Sequence, residues 1–153
     1  MAKFDAILFE SGFAIGSIYY DDHYLYDDRQ NRIVLTIEQE RLKNSPIPMI
    51  VDTGAPWSIL DPEVARVWSF TSEVAVVNLN IRGETRRGRL LRANIILEAT
   101  NGEDLTIEAT FFVPLLDLDE VWNYPNFLGL SGFLDRFRFG VDASENAFYF
   151  GRF

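Results

Sequence analysis

The stretch "PIPMIVDTGAPWSIL", residues 46–60, decides how this chain reads. An apolar run, Pro48-Met49-Ile50-Val51, leads straight into Asp52-Thr53-Gly54, and a small residue, Ala55, follows. A second apolar pair, Ile59-Leu60, then leads to "DPEVARVW". There Asp61 can cap a short helix, Pro62 takes its first position and Glu63 sits near its positive end. A carboxylate at the end of a hydrophobic strand is costly unless it is hydrogen-bonded, paired or put to use. The bland alternative is a solvated acid in a turn between two strands, which turn chemistry permits.

Outward from this stretch the chain reads mostly as strands. In "VVNLNIR" (76–82), Val77, Leu79 and Ile81 alternate with Asn78, Asn80 and Arg82. In "LRANIILE" (91–98), Leu91, Ala93, Ile95 and Leu97 alternate with Arg92, Asn94 and Glu98, apart from Ile96. "LTIEATFFV" (105–113) sets Leu105, Ile107, Ala109, Phe111 and Val113 on one side. Period two of this kind predicts strands with one buried face. Between the last two, Asn101-Gly102 predicts a tight hairpin turn, since both positions tolerate positive φ. "SGFLDRF" (131–137) offers Ser131 as the cap of a second short helix, and "FRFGVDASENAFYFG" (137–151) reads as two strands around Ala143 to Asn146. With no repeat, linker or low-complexity tract, the expectation is a single all-β domain over residues 1–153 with one or two short helices.

Bulk properties narrow the function classes. A chain of 153 residues, 48% hydrophobic and 14% aromatic, can bury a sizeable core and is too apolar for disorder. A formal net charge of −9 argues against a nucleic-acid partner, which needs a concentrated basic surface. The absence of cysteine excludes a disulfide framework, a thiolate zinc site and a cysteine nucleophile together. A Ser-His-Asp triad would have to use the single histidine, His23. "MAKFDAILFESGFAIG" (1–16) carries acids inside its apolar stretch and makes a poor signal peptide. No uninterrupted run approaches the ~20 residues of a membrane span. A cytoplasmic protein with no membrane partner is expected. "YYDDHYLYDD" (19–28) gathers Asp21, Asp22, His23, Asp27 and Asp28, but without further histidines or helical spacing it reads as a solvated acidic loop. Neither a metal nor a cofactor is expected.

In the order of its parts the chain resembles the retropepsins, the retroviral-type aspartic proteases, and more closely their bacterial members, from about Ile33 to Phe150. Two motifs carry the resemblance. Asp52-Thr53-Gly54-Ala55 matches the loop that bears the catalytic aspartate. Phe127-Leu128-Gly129, within "NFLGLSGFLDRF" (126–137), matches the hydrophobic-hydrophobic-Gly element that packs under that loop before a helix. The resemblance implies a retropepsin-type acid-protease barrel, closed or nearly so, acting on peptide bonds. Such hydrolysis uses two carboxylates a few ångströms apart that hold one proton between them. Like charges that close cannot both ionise, so one acts as the base that activates water and the other as the acid that protonates the carbonyl oxygen. Thr53 would tie the loop through its hydroxyl, and Gly54 would let the backbone approach the other loop and the substrate.

Counting adds a consequence. The chain holds no second Asp-Thr/Ser-Gly and is too short for the two-lobed, single-chain form, so the second aspartate must come from another copy. A twofold axis would place Asp52 beside its symmetry mate, making the active species a homodimer with one cleft for a peptide or protein substrate.

By the same resemblance, the segment Ile81 to Arg89 is the candidate flap, a hairpin that closes over the substrate. Its members include Ile81, Arg82, Gly83, Glu84, Thr85 and Gly88, with Gly83 and Gly88 bracketing the tip. The peptide would lie extended, hydrogen-bonded like an added strand. Two departures from the viral pattern stand out. Viral enzymes carry acids after the alanine, where this chain has Pro56 and Trp57; Trp57 is a candidate wall of an apolar-leaning pocket. The terminal strand pair after Gly140 is longer than the viral tail, so the viral mode of dimerisation is not carried over. Arg82, Arg86, Arg87, Arg89 and Arg92 form a local basic patch that reads as a solvated hairpin, with acidic-peptide selection as its functional alternative. In "EVWNYPNF" (120–127), Trp122 and Tyr124 fit either a cleft wall or the core. The reading is a homodimeric aspartic endopeptidase. Its rivals are a catalytically silent domain of the same fold, kept for dimerisation or peptide binding, and a peptide-carrying barrel unrelated to proteases.

Overall fold

A computed structural model describes residues 3–24, 31–42 and 45–153. In chain order the elements are helix α1 (Lys3–Glu10), strands β1 (Gly16–Tyr19), β2 (Val34–Gln39), β3 (Ile47–Val51) and β4 (Ser58–Ile59), and helix α2 (Pro62–Val67). There follow β5 (Ser72–Ile81), β6 (Glu84–Leu97), β7 (Asn101–Gly102), β8 (Leu105–Pro114), β9 (Phe127–Leu128), a 3₁₀ turn (Leu134–Arg136), β10 (Arg138–Asp142) and β11 (Ala147–Gly151).

Hydrogen bonding runs β2-β3-β9-β4-β8-β6, and β2 returns to β6 to close a six-stranded barrel. Closure leaves these strands without a bare edge along the ring. The alternation in the sequence is what fills the barrel: Leu91, Ala93, Ile95 and Leu97 of β6 point inward, with Arg92 and Asn94 on the outer face. Facing them inside are Leu35, Ile37, Met49, Phe111 and Leu128, all fully buried.

Strand β8 departs from the expected single buried face. Thr110 and Phe112, on its other side, are buried as well as Ala109 and Phe111. The reason is the long β5–β6 hairpin, which carries Ile81 and Leu90 over that outer face to meet Phe112, Ile59 and Trp122 in a second apolar cluster. A two-sided strand needs a second layer, and the hairpin supplies it.

The remaining strands form a separate sheet, β10-β11-β1-β7. The paired strands around Ala143 to Asn146 are there as expected, and Asn146 closes their turn at φ 49°. Phe148 and Phe150 point into the barrel core, while Ala147 and Tyr149 face the other way. Helix α1, which the sequence reading did not anticipate, covers that outer face. Phe4 and Phe9 meet the Tyr149 ring edge-on at 5.9 and 6.2 Å. The Tyr149 hydroxyl is hydrogen-bonded to Asp5, and burial together with that carboxylate pushes its pKa up. Strand β1 lies between β11 and β7, so residues 16–19 are built into the sheet.

Two turn expectations are corrected. The hairpin joining β6 to β8 exists, with Leu97 opposite Leu105, but Asn101-Gly102 is not a two-residue turn. It forms β7 and pairs with Ser17 and Gly16 of β1. Gly102 does take positive φ, 86°, yet the tighter constraint is that a Cβ there would lie 2.3 Å from the Ile15 carbonyl oxygen. Ser131 caps no helix either. The segment makes a single 3₁₀ turn, and Asp135 reaches back to accept the Gly132 N–H at 2.9 Å. The first helix expected, α2, forms as read: the Asp61 carboxylate accepts the Glu63 N–H at 2.8 Å and Pro62 opens the helix. Among the described residues no helix is long and apolar enough to cross a membrane.

Candidate active site

The apolar run before Asp52 becomes β3, which lies parallel to β9 with Ile50 opposite Phe127 and Val51 opposite Leu128. The ladder extends one step further, since the Asp52 N–H donates to the Leu128 carbonyl at 2.9 Å. The chain then turns. Asp52 Oδ1 accepts the Gly54 N–H at 3.0 Å, and its backbone carbonyl accepts the Ala55 N–H at 3.1 Å. Returning bonds come from the other motif, with the Leu130 and Ser131 N–H groups donating to the Ala55 and Pro56 carbonyls, both at 2.9 Å. The Gly129 N–H donates to the buried Ser58 hydroxyl, also at 2.9 Å. Asp52-Thr53-Gly54-Ala55 and Phe127-Leu128-Gly129 are thus brought together and bound to each other through the backbone.

Gly129 has a steric reason for its place. A Cβ there would lie 2.4 Å from both the carbonyl carbon and oxygen of Trp57, which are main-chain atoms unable to move aside cheaply. Thr53, expected to tie the loop through its hydroxyl, is exposed, and the loop's bonds among the described residues come from Asp52 and the backbone.

Asp52 is half-buried and borders two cavities. One of about 580 Å³ extends past Arg32 and Ile50 to Tyr20, Val141 and Asn146 near the terminal hairpin. The other, about 280 Å³, lies between the loop and the tip of the β5–β6 hairpin, with Gly54, Pro56, Ile59, Leu79, Ile81 and Arg82 among its walls. Arg32 borders both. The sequence reading missed it, because a lone arginine ahead of a strand carries no local signal.

The hairpin tip is tighter than its two glycines implied. Ile81 pairs with Glu84, leaving Arg82 (φ 51°) and Gly83 (φ 83°) as a two-residue turn with both central residues left-handed, the geometry that matches strand twist. Asn80 Oδ1 accepts the Gly83 N–H at 3.0 Å. Gly88 lies within β6, away from the tip, where a Cβ would meet the Phe112 ring at 2.4 Å. Thr85 is likewise a strand residue, paired with Asn80. Trp57 packs with the second cluster and lines neither cavity, and Trp122 is buried in that same cluster. Tyr124 lies beneath the Arg82 guanidinium, 5.0 Å from ring centroid to charge.

Acids answer three of the hairpin's arginines. Arg86 bonds to Glu120 and, at 3.0 Å, to Glu84. Arg89 meets Glu73 at 3.0 Å, and Arg92 meets Glu108 at 3.8 Å. The hydrogen bond from Arg86 holds the Glu120 carboxyl below its usual range, against a smaller opposing effect of burial. Together with the Leu115 N–H donating to the Arg87 carbonyl at 2.9 Å, this pair fastens the hairpin to the 115–120 segment. In the acidic loop, His23 Nδ1 lies 2.7 Å from Asp22. Asp27 and Asp28 lie outside the described residues, and no group of three or more His, Cys, Asp or Glu is placed to hold a metal ion among those described.

No family model and no curated protein matches the sequence. Among solved structures the chain is similar to the crystal structure of a retropepsin-like aspartic protease from Rickettsia conorii. The two are 20% identical with a TM-score of 0.53, over 88% of this chain and 98% of that one. The closed barrel and this likeness show the retropepsin-like fold.

Two outcomes follow from the geometry. Gly129→Ala should lower stability by about 2–3 kcal/mol, read by urea unfolding, since the added methyl meets main chain; an unchanged midpoint would refute the steric account. The second concerns pH. Because the folded carboxyl of Glu120 titrates below its unfolded value, its contribution is complete above the unfolded pKa and is lost as pH falls through the lower, folded one. Amide protection at Thr85 to Arg87 should therefore drop on acidification below about pH 4.5, and Glu120→Gln should show the loosened hairpin at every pH.

Proposed function

We propose that this chain is one protomer of a homodimeric aspartic endopeptidase, with Asp52 from two copies forming the catalytic pair. The observation that carries the reading is the setting of Asp52: a carboxylate held at Oδ1 by the Gly54 N–H, at the meeting point of two cavities, on a retropepsin-like fold. That hydrogen bond orients the group. The adjoining surface is open, with Thr53 exposed and Leu130, joined to the loop through Ala55, 48% exposed. An apolar side chain beside a half-buried acid is a surface that a second copy could cover.

In this reading the ionised carboxylate of the pair takes a proton from water as the water oxygen bonds to the peptide carbonyl carbon. The protonated partner gives its proton to the carbonyl oxygen. The tetrahedral intermediate then collapses: its C–N bond breaks, the amine leaves with the proton first taken from water, and one hydroxyl of the intermediate returns its proton to the other aspartate, so that a carboxylic acid forms and the pair regains its single shared proton. No metal or cofactor enters these steps. The place of Ile81 and Arg82 on the same cavity as Asp52 supports the β5–β6 hairpin as the flap, closing over an extended peptide and excluding water.

Asp52→Asn should reduce cleavage of an unstructured protein at mildly acid pH by at least about a thousandfold, with circular dichroism unchanged. A variant as active as the parent would remove Asp52 from the chemistry. Specific activity of the parent should also fall on dilution as the dimer dissociates, in step with the mass measured by sedimentation.

A further inference from the structure

We propose that Arg32 and Arg82 make the site selective for peptides bearing an acidic side chain beside the cleaved bond, an inference that rests on the protease reading above. Both arginines border the 280 Å³ cavity next to Asp52, and Arg32 borders the 580 Å³ cavity as well. Neither forms a salt bridge among the described residues, whereas Arg86, Arg89 and Arg92 on the same hairpin each meet a glutamate. Arg32 is half-buried, so its charge is less screened than that of a surface side chain. Arg82 lies over the face of Tyr124, a contact that engages the guanidinium plane and leaves its in-plane N–H donors available to a carboxylate.

Charge counting at the site points the same way. Among the described residues, Asp52 is the sole acid on the smaller cavity. On the larger one the other acid among the described residues is Asp22, which is already 2.7 Å from His23. A proton-sharing pair of Asp52 side chains carries one negative charge between two protomers, against two guanidiniums from each. Among the described residues the lining of the cleft is thus locally cationic in a chain of net charge −9. At physiological salt the remote negative charges are screened beyond about 8 Å, so the nearby arginines dominate what a bound side chain feels.

The test uses peptides identical except for Glu or Gln, scanned through the positions flanking the cleaved bond. At about pH 5.5 glutamate is ionised, and at one position the Glu peptide should be cleaved about tenfold better in kcat/KM, the gain lying in KM. The preference should collapse toward unity in the Arg32→Gln, Arg82→Gln double variant and below about pH 4, where the substrate carboxyl protonates. Arg82→Lys should restore part of it, and melting temperatures would identify any variant that fails to fold. Equal cleavage of Glu and Gln peptides at every position would overturn the inference. Absence of any cleavage would count against the protease reading instead, and fluorescence anisotropy of the same peptides on Asp52→Asn protein would then decide: tighter Glu binding upholds the role of the arginines, and equal affinity refutes it.

Discussion

The parallel pairing of β3 with β9 is the constraint on which the candidate site depends. It carries the Asp52 N–H onto the Leu128 carbonyl and sets Gly129 against the Trp57 main chain. Parallel pairing between segments so distant in sequence is costly in chain entropy and must be supported by what surrounds it. Here the support is a closed barrel whose interior is filled by Leu35, Ile37, Met49, Phe111 and Leu128. The carboxylate is consequently presented at the end of a paired strand, with Oδ1 bonded to the Gly54 N–H.

The hairpin above the site performs two physical tasks. Its apolar face, through Ile81 and Leu90, covers Phe112 and makes β8 a two-sided core strand. Its tip, through Ile81 and Arg82, borders the cavity at Asp52. Ion pairs from Arg86 to Glu84 and Glu120 keep the tip close to the 115–120 segment, so the candidate flap is tethered by charge while its base is held by apolar packing. Partly exposed pairs of this kind contribute modestly to global stability, and their effect is local, on the position of the hairpin.

The terminal sheet closes the far side of the molecule. Its inner face sends Phe148 and Phe150 into the barrel core, and its outer face is covered by α1 through Phe4, Phe9 and Tyr149. The turn end of its β10–β11 pair reaches the larger cavity through Val141 and Asn146. The extra length of this strand pair, noted in the sequence as a departure from the viral pattern, therefore adds wall to the space beside Asp52.

Local signals in the sequence determined the Asp-Thr-Gly loop, the alternating strands, the α2 cap at Asp61 and the terminal hairpin, because each is set by neighbours within a few residues. They also marked Phe127-Leu128-Gly129, whose apolar-apolar-Gly order meets a steric need at Trp57. Other roles required the folded chain. Asn101-Gly102 carried the right backbone freedom, but its partner is β1, distant in sequence; Gly88 looked like a tip residue, but its lack of a side chain serves the Phe112 ring. Helix α1 exists because Tyr149 and its sheet offer it an apolar seat, and Arg32 became visible only when two cavities were seen to share it. Short-range propensity is written along the chain, whereas close approach, shared cavities and which charges go unpaired are properties of surfaces that meet only after folding.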